Sequence, residues 1–331
     1  MNDYTIHKPI MKGTIMPVLG TAQAKDGVLT SSNLDQWMQT PTDLADGLYQ
    51  IVGKTWQPSK IGMDEFPPMP VLKPKGKATL TLDRIACARL LACMSTDETR
   101  YILCSILFRV HEKGISLCST DGRRLTVCEW PCKVAKLAHG DYIIKHLGRA
   151  NTHPLALLMR DKKRDEVTVT FAGDMVQFAN GEQTLTVKTC EGTYPNYKQV
   201  IPKDQQGLLR VDQRVMVDAL KELLPFRPKL RKYITSTSVV VEFREVELLM
   251  TMSDVDRDIK HTVSVPCKHE RRGKIEQIAL DLDRLMDAFI HPDGIVYMSH
   301  QDELTPIATG THLAGGQIGP ELSVVMPMRT T

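Results

Sequence analysis

A 32-residue stretch, Thr96 to Val127 (TDETRYILCSILFRVHEKGISLCSTDGRRLTV), combines an Arg-Tyr dipeptide, two strand-like runs and a TDGRRL turn. From Ile115 to Ser119, apolar and small polar residues alternate as in a half-buried strand. Asp121-Gly122 then supplies turn chemistry, and Leu125 and Val127 resume the alternation. Weaker copies of this plan stand on both sides, at Val28 to Asp35 (VLTSSNLD) and at Leu248 to Asp254 (LLMTMSD). One supersecondary unit used three times restricts the chain to an architecture of repeated modules.

A second marker recurs with it. Phe66-Pro67-Pro68-Met69-Pro70 and Tyr194-Pro195-Asn196-Tyr197, running on to Ile201-Pro202, are aromatic-proline segments whose first residues are 128 positions apart. Proline cannot donate to a strand ladder and pushes its predecessor toward extended geometry, so both segments read as stiff connectors. Boundaries follow near 70 and 203, giving modules over 1–65, 66–203 and 204–331. Asp121 to Tyr194 and Asp254 to Pro327 each span 73 positions, whereas Asp35 to Phe66 spans 31. The first module is therefore expected to be abridged, lacking about 40 residues of its second half by comparison with its repeats. Nothing before Ile15 shows the apolar helix that precedes the turn in the other copies.

The strings TRYIL, STDGRRL, EGTYPNYKQVIP and the C-terminal SVVMPMR, in this order, resemble bacterial DNA polymerase III β subunits, the sliding clamps. Residues 66–331 resemble the second and third clamp domains. KGTIMPVLGTAQAKDG and SSNLDQWMQ resemble part of the first. The resemblance implies an α+β fold of DNA-clamp modules, with antiparallel sheets outside and helices lining an inner face past which duplex DNA runs.

Composition agrees with this. The 331 residues suffice for two or three cored domains, and 42% hydrophobic with 24% charged residues is an ordinary soluble profile. No run approaches the roughly 18 to 20 apolar residues of a membrane span, and no basic segment with an apolar core opens the chain. A cytoplasmic protein with no membrane partner is expected. Among the eight cysteines only Cys128 and Cys132 form a close pair on a turn, with no second cluster to complete a structural zinc site, so buried or half-buried thiols in a reducing cell are the expectation.

Three segments read as helices with one apolar and one cationic face. Leu82 to Ser95 sets Ile85, Ala88, Leu91 and Ala92 on one face, with Arg84 and Arg89 elsewhere. Lys145 to Leu158 carries Lys145, Arg149 and His153 around Leu147 and Leu155. Asp212 to Leu224 carries Arg214 and Lys221 around Val215, Val217 and Leu220. Dispersed cations of this kind hold phosphates without reading bases, which suits a protein that slides on DNA. The plainer alternative is a set of solvated helix faces. With a net charge of only +3, placement and not total charge carries the argument. Arg100 and Tyr101 match clamp positions that contact DNA near the ring face, where a cation beside an aromatic can serve phosphate and base together. The tyrosine could equally cap a sheet edge.

The resemblance also implies a hydrophobic cleft that takes short linear peptides from polymerases and clamp loaders. Its positions fall on Leu103, Thr120, Gly122, Arg124 and Leu125, on Val324, Val325, Met326, Pro327, Met328 and Arg329, and on Pro225. Small and flexible apolar groups around a few polar anchors suit a peptide with Leu or Phe at its tip. Core packing is the alternative for Met326 and Met328. One departure stands out: sliding clamps commonly have His where this chain has Arg123, which adds a permanent positive charge at the rim.

Catalysis finds no support. GxxxxGK[ST], GxSxG, HExxH and a strand-linked GxGxxG are all missing, and the ten histidines form no pair at ligand spacing. Asp254, Asp256 and Asp258 alternate like a nuclease metal cluster, but Arg257 and Lys260 beside them and the copy in TDG point to a repeated turn. No catalytic residue, metal or cofactor is expected. The function read here is that of a processivity factor, a ring homodimer or other homo-oligomer. The abridged first module leaves a rival: a homologue that forms no ring and binds polymerase or loader peptides as a decoy or adaptor. A head-to-tail contact makes a ring only when its rotation closes.

Overall fold

The computed structural model describes residues 4–11, 16–146, 152–160, 164–203, 205–227, 237–254, 257–314, 316–319 and 321–328. These gather into two compact units. One holds Met1–Cys87, Thr96–Leu117 and Trp130–Tyr194, and the other holds Ala88–Ser95, Cys118–Glu129 and Pro195–Thr331.

In chain order the first strands are β1 (Thr21–Lys25), β2 (Val28–Ser32), β3 (Gln36–Pro41), β4 (Gly47–Val52) and β5 (Thr55–Pro58), after a short helix α1 (Tyr4–His7). A longer series follows: β6 (Gly76–Thr81), α2 (Arg84–Cys93), β7 (Ser105–His111), β8 (Gly114–Thr120), β9 (Arg124–Pro131), β10 (Gly140–Lys145), α3 (Pro154–Leu158), β11 (Glu166–Ala172), β12 (Met175–Asn180) and β13 (Gln183–Lys188). The same order then recurs as β14 (Gly207–Asp212), α4 (Gln213–Leu223), β15 (Ser238–Phe243), β16 (Glu247–Asp254), β17 (Ile259–Arg271), β18 (Gln277–Asp281), α5 (Leu282–Ala288), β19 (Ile295–His300) and β20 (Ile307–Gly310). A two-stranded insertion, β21 (Leu313–Ala314) and β22 (Gln317–Ile318), precedes the closing β23 (Leu322–Val325). Only 17 residues separate β5 from β6. Counterparts of β11, β12 and β13 do not occur there among the described residues, which is where the first series is short.

The first unit carries a nine-stranded sheet ordered β5-β4-β1-β2-β3-β13-β12-β11-β6, and β10 pairs antiparallel with β7. In the second unit the order runs β9-β23-β20-β19-β14-β17-β16-β15-β18. The strands pair antiparallel, β1 with β2, β3 with β13, β16 with β17 and β9 with β23 among them, as hairpin-linked strands with one face on a core allow. The core of the second unit joins Met216, Leu220 and Leu223 of α4 to Val239, Val241, Met250, Val265 and Leu280 of the strands, all fully buried. No helix among the described residues is long and apolar enough to cross a membrane.

Aspartate begins α2, α4 and α5. Asp83 Oδ1 accepts the Ile85 and Ala86 N–H groups at 2.9 Å, Asp212 Oδ1 accepts those of Arg214 and Val215 at 2.9 and 3.1 Å, and Asp281 Oδ1 accepts that of Arg284 at 3.0 Å. Each satisfies amides that a first turn leaves without partners.

Three sequence expectations need correction. Lys145 closes β10, paired with Ser105, and no helix begins at 145; α3 is confined to Pro154–Leu158, capped by His153. Arg149 lies outside the described residues. On α2 the buried stripe is Ala86, Cys87, Leu90 and Cys93, while Ile85, Ala88, Leu91 and Ala92 are half-exposed. On α4 the buried stripe is Met216, Ala219, Leu220 and Leu223, with Val215 exposed and Val217 half-buried.

Candidate peptide site and cationic positions

The turn between β8 and β9 is built by its own side chains. Gly122 N–H donates to Thr120 Oγ1 at 3.0 Å, Arg123 and Arg124 N–H groups donate to Asp121 Oδ1 at 2.7 and 3.0 Å, and Thr120 Oγ1 donates to the Arg124 carbonyl at 2.5 Å. Asp and Thr make this bend without help from elsewhere. Gly122 sits at φ +87°, a left-handed conformation that glycine adopts without steric cost.

Beside the turn, β23 joins β9 in antiparallel register, Val324 opposite Leu125 and Val325 opposite Arg124. The Met326 N–H donates to the Arg123 carbonyl at 2.9 Å, and the Met328 N–H donates to the Ala279 carbonyl of β18 at 2.8 Å. Leu125, Val324 and Val325 are core residues. Met326, Pro327 and Met328 are half-buried, Pro225 and Arg123 are exposed, and Thr120 is buried at 8% exposure. A cavity of about 370 Å³ opens at Met328, lined also by Val240, Ile278, Ala279, Glu303 and Leu304. Leu103 belongs to the first unit, where it is buried. Arg329 lies outside the described residues.

Arg124 is tied into a network that sequence reasoning missed. Its guanidinium pairs with Asp287 of α5 and lies 3.1 Å from Asp121 Oδ2. Arg284 of α5 in turn reaches Asp121 at 3.5 Å and Asp281 at 3.0 Å. Burial pushes the Asp287 carboxyl above the ordinary carboxylate range, against the opposing pull of Arg124. Cys93 lies 3.2 Å from Thr126 Oγ1, and burial pushes its thiol up to about 12, which leaves it protonated and unreactive.

The cationic positions divide. Arg89 is 5% exposed, with Nη1 3.3 Å from His291 Nδ1 and Nη2 3.6 Å from Cys128 Sγ. This corrects its reading as a DNA-facing cation, since a guanidinium without solvent access cannot meet phosphate. Arg84 directs its donors to Asp165 at 2.7 Å and to the Met159 carbonyl at 2.8 Å. Lys145 is half-buried. Arg214 is exposed and paired with Asp293, and Lys221 is exposed and 3.4 Å from Asp218. Arg100 is exposed on the short helical stretch Glu98–Cys104, beside Tyr101, which is 49% exposed.

Residues 81–196 match the family model of the DNA polymerase III β subunit, central domain. A β sliding clamp of Synechococcus elongatus is 29% identical over 54% of this chain and 46% of its own length. One of Synechocystis is 27% identical over 86% of this chain and 71% of its own. The chain thus spans less than half of the Synechococcus protein in that alignment. Among solved structures, the DNA polymerase III β subunit of Thermotoga maritima is similar at a TM-score of 0.80 and 16% identity, covering 99% of this chain and 96% of the other. A Pseudomonas aeruginosa sliding clamp bound to griselimycin is similar at 0.79 and 15%, with the same coverage. Residues 81–196 thus match the central domain of the DNA polymerase III β subunit, the curated relatives are β sliding clamps, and the fold is the one that solved sliding clamps have.

Proposed function

We propose that the chain is a sliding clamp that encircles duplex DNA without reading sequence and tethers a DNA polymerase for processive synthesis. The observation that carries this reading is the clamp series of strands and helices, laid down once in full from β6 to β13 and again from β14 to β23. Three modules, 1–65, 66–203 and 204–331, are the proposed organisation. Arg100, Tyr101, Arg214 and Lys221 are the proposed DNA contacts, since these four project into solvent. Lys145 and Arg84 are secondary candidates. Polymerase and loader peptides would dock around Arg123, Met326 and Met328, with no chemistry performed by the clamp itself.

The short first series favours a second reading. A ring needs a complementary surface at each end of the subunit. With 17 residues between β5 and β6, the first module has, among the described residues, no counterpart of the strands that β9 and β3 pair with. On that reading the protein binds replication peptides without closing on DNA. Native mass by light scattering across a concentration series, followed by retention on nicked circular DNA, separates the two. A dimer or trimer retained on circles and lost after linearisation supports the clamp. A monomer never retained supports the decoy.

A further inference from the structure

The two adjacent arginines of the turn differ in what is left for a ligand. Arg124 and Arg284 share three carboxylates, Asp121, Asp281 and Asp287, so the network carries enough negative charge to neutralise both cations without any outside group. Drawing Arg124 out to a ligand would leave Asp287 half-buried without its counter-charge, which is unfavourable. Arg123 stands outside the network. Its side chain is exposed, and among the described residues its guanidinium has no ion-pair partner. Its backbone is nevertheless fixed, by its N–H on Asp121 and by its carbonyl on Met326, so the side chain leaves the main chain beside the half-buried segment Met326 to Met328.

Resting on the peptide-site reading above, we propose that Arg123 selects an acidic peptide: an extended segment whose apolar end packs on Met326 and Met328 while one Asp or Glu side chain pairs with the Arg123 guanidinium. Arg124 positions the turn and does not touch the ligand. The equivalent turn of the first unit places Asp35 where this one places Arg123, so the same peptide would meet a like charge there.

The test uses the full chain and fluorescein-labelled heptapeptides ending in Leu-Phe, made as Asp/Asn twins at each polar position in turn and read by fluorescence anisotropy. At low salt the wild type should bind one Asp peptide about fivefold tighter than its Asn twin, the range of an exposed ion pair. The preference should shrink at about 300 mM salt, where charges separated by more than a few ångströms are screened. Arg123→Gln should bind both twins alike. Equal binding of every twin pair by the wild type, or an acidic preference that survives in Arg123→Gln, overturns the role of Arg123. If none of the peptides binds, the peptide site itself is overturned and the inference falls with it.

Discussion

Two turns in this molecule share one geometry and differ in chemistry. In the first unit, Leu34 N–H donates to Ser32 Oγ at 3.0 Å, and the Asp35 and Gln36 N–H groups donate to Asn33 Oδ1 at 3.1 and 2.8 Å. In the second unit, Gly122, Arg123 and Arg124 make the same three bonds to Thr120 and Asp121. The strands that follow are joined alike. Lys188 N–H meets the Asp35 carbonyl at 2.8 Å as Met326 N–H meets that of Arg123, and Cys190 N–H meets Ile143 at 2.7 Å as Met328 N–H meets Ala279. Backbone design has been duplicated, whereas the side chains have diverged. Trp37 and Lys188 occupy the places of Leu125 and Met326, and Lys188 lies over the Trp37 ring at 5.4 Å from its centroid. A scaffold is thus used once for joining strands and once, on our reading, for joining strands and holding a ligand.

The largest expected difference between the turns lies at Gln36 and Arg124. Gln36 is buried and holds the Thr152 carbonyl with one neutral bond at 3.3 Å, whereas Arg124 neutralises Asp287 and Asp121. Replacing Arg124 by Met leaves Asp287 without a cation, with Asp121 still within 3.5 Å of Arg284, and should cost about 3 kcal/mol, the low end for a broken buried pair. Gln36→Met should cost about 1 kcal/mol. Urea unfolding of the two variants measures both. Equal losses would mean the ion network is no more than surface decoration.

At the next position the turns invert their strain. Gly122 has φ +87°, and Gly122→Leu should destabilise by about 2 kcal/mol because a Cβ there crowds the backbone. The same unfolding experiment reads it, and an effect under about 0.5 kcal/mol would mean the turn relaxes into another conformation.

The turns were legible in sequence because their chemistry is local: Asp, Asn, Ser and Thr bend the chain on bonds two and three residues long. The helix starts at Arg84 and Gln213 were close to expectation for the same reason. What escaped was set by distant partners. Arg89 looked like a solvent-facing cation because an amphipathic pattern shows a stripe without showing which neighbours cover it, and His291, 202 positions away, covers it here. Arg124 meets Asp287 across 163 positions. Lys145 continues a strand because Ser105 stands opposite it, and nothing in the local run of residues reveals that.

Acid should unsettle both halves of the comparison. His153 caps α3 next to Thr152, the residue that Gln36 holds, and burial pushes its imidazole down to about 3. His291 follows α5, the helix that Arg124 holds, and burial followed by repulsion from Arg89 pushes it down to about 3 as well. Below the unfolded value of about 6.5 the unfolded chain takes up these protons and the folded chain refuses them. Stability from each is therefore full above that pH and lost as pH falls toward 3, at about 1.4 kcal/mol per pH unit for each histidine. His153→Asn offers a capping oxygen in place of the ring Nδ1 that accepts the Leu155 N–H, and should remove one histidine's share of the slope between pH 6 and 4, measured by urea midpoints. An unchanged slope would place the acid sensitivity elsewhere.

The smallest effect is also the sharpest test of equivalence. Leu34 holds φ +74° at the position where the second turn has Gly122, so the first turn bears the crowding that the second avoids. Its side chain is 37% exposed, which limits what burial returns for that strain. The Leu34 N–H bond to Ser32 needs no side chain and survives substitution. Leu34→Gly should therefore stabilise the protein by about 1 kcal/mol, the left-handed penalty less the extra freedom glycine gives the unfolded chain. Thermal or urea unfolding detects a rise of that size. A loss instead would mean that the Leu34 side chain holds the first turn through packing, and that the two turns share a hydrogen-bond pattern without sharing an energetic design.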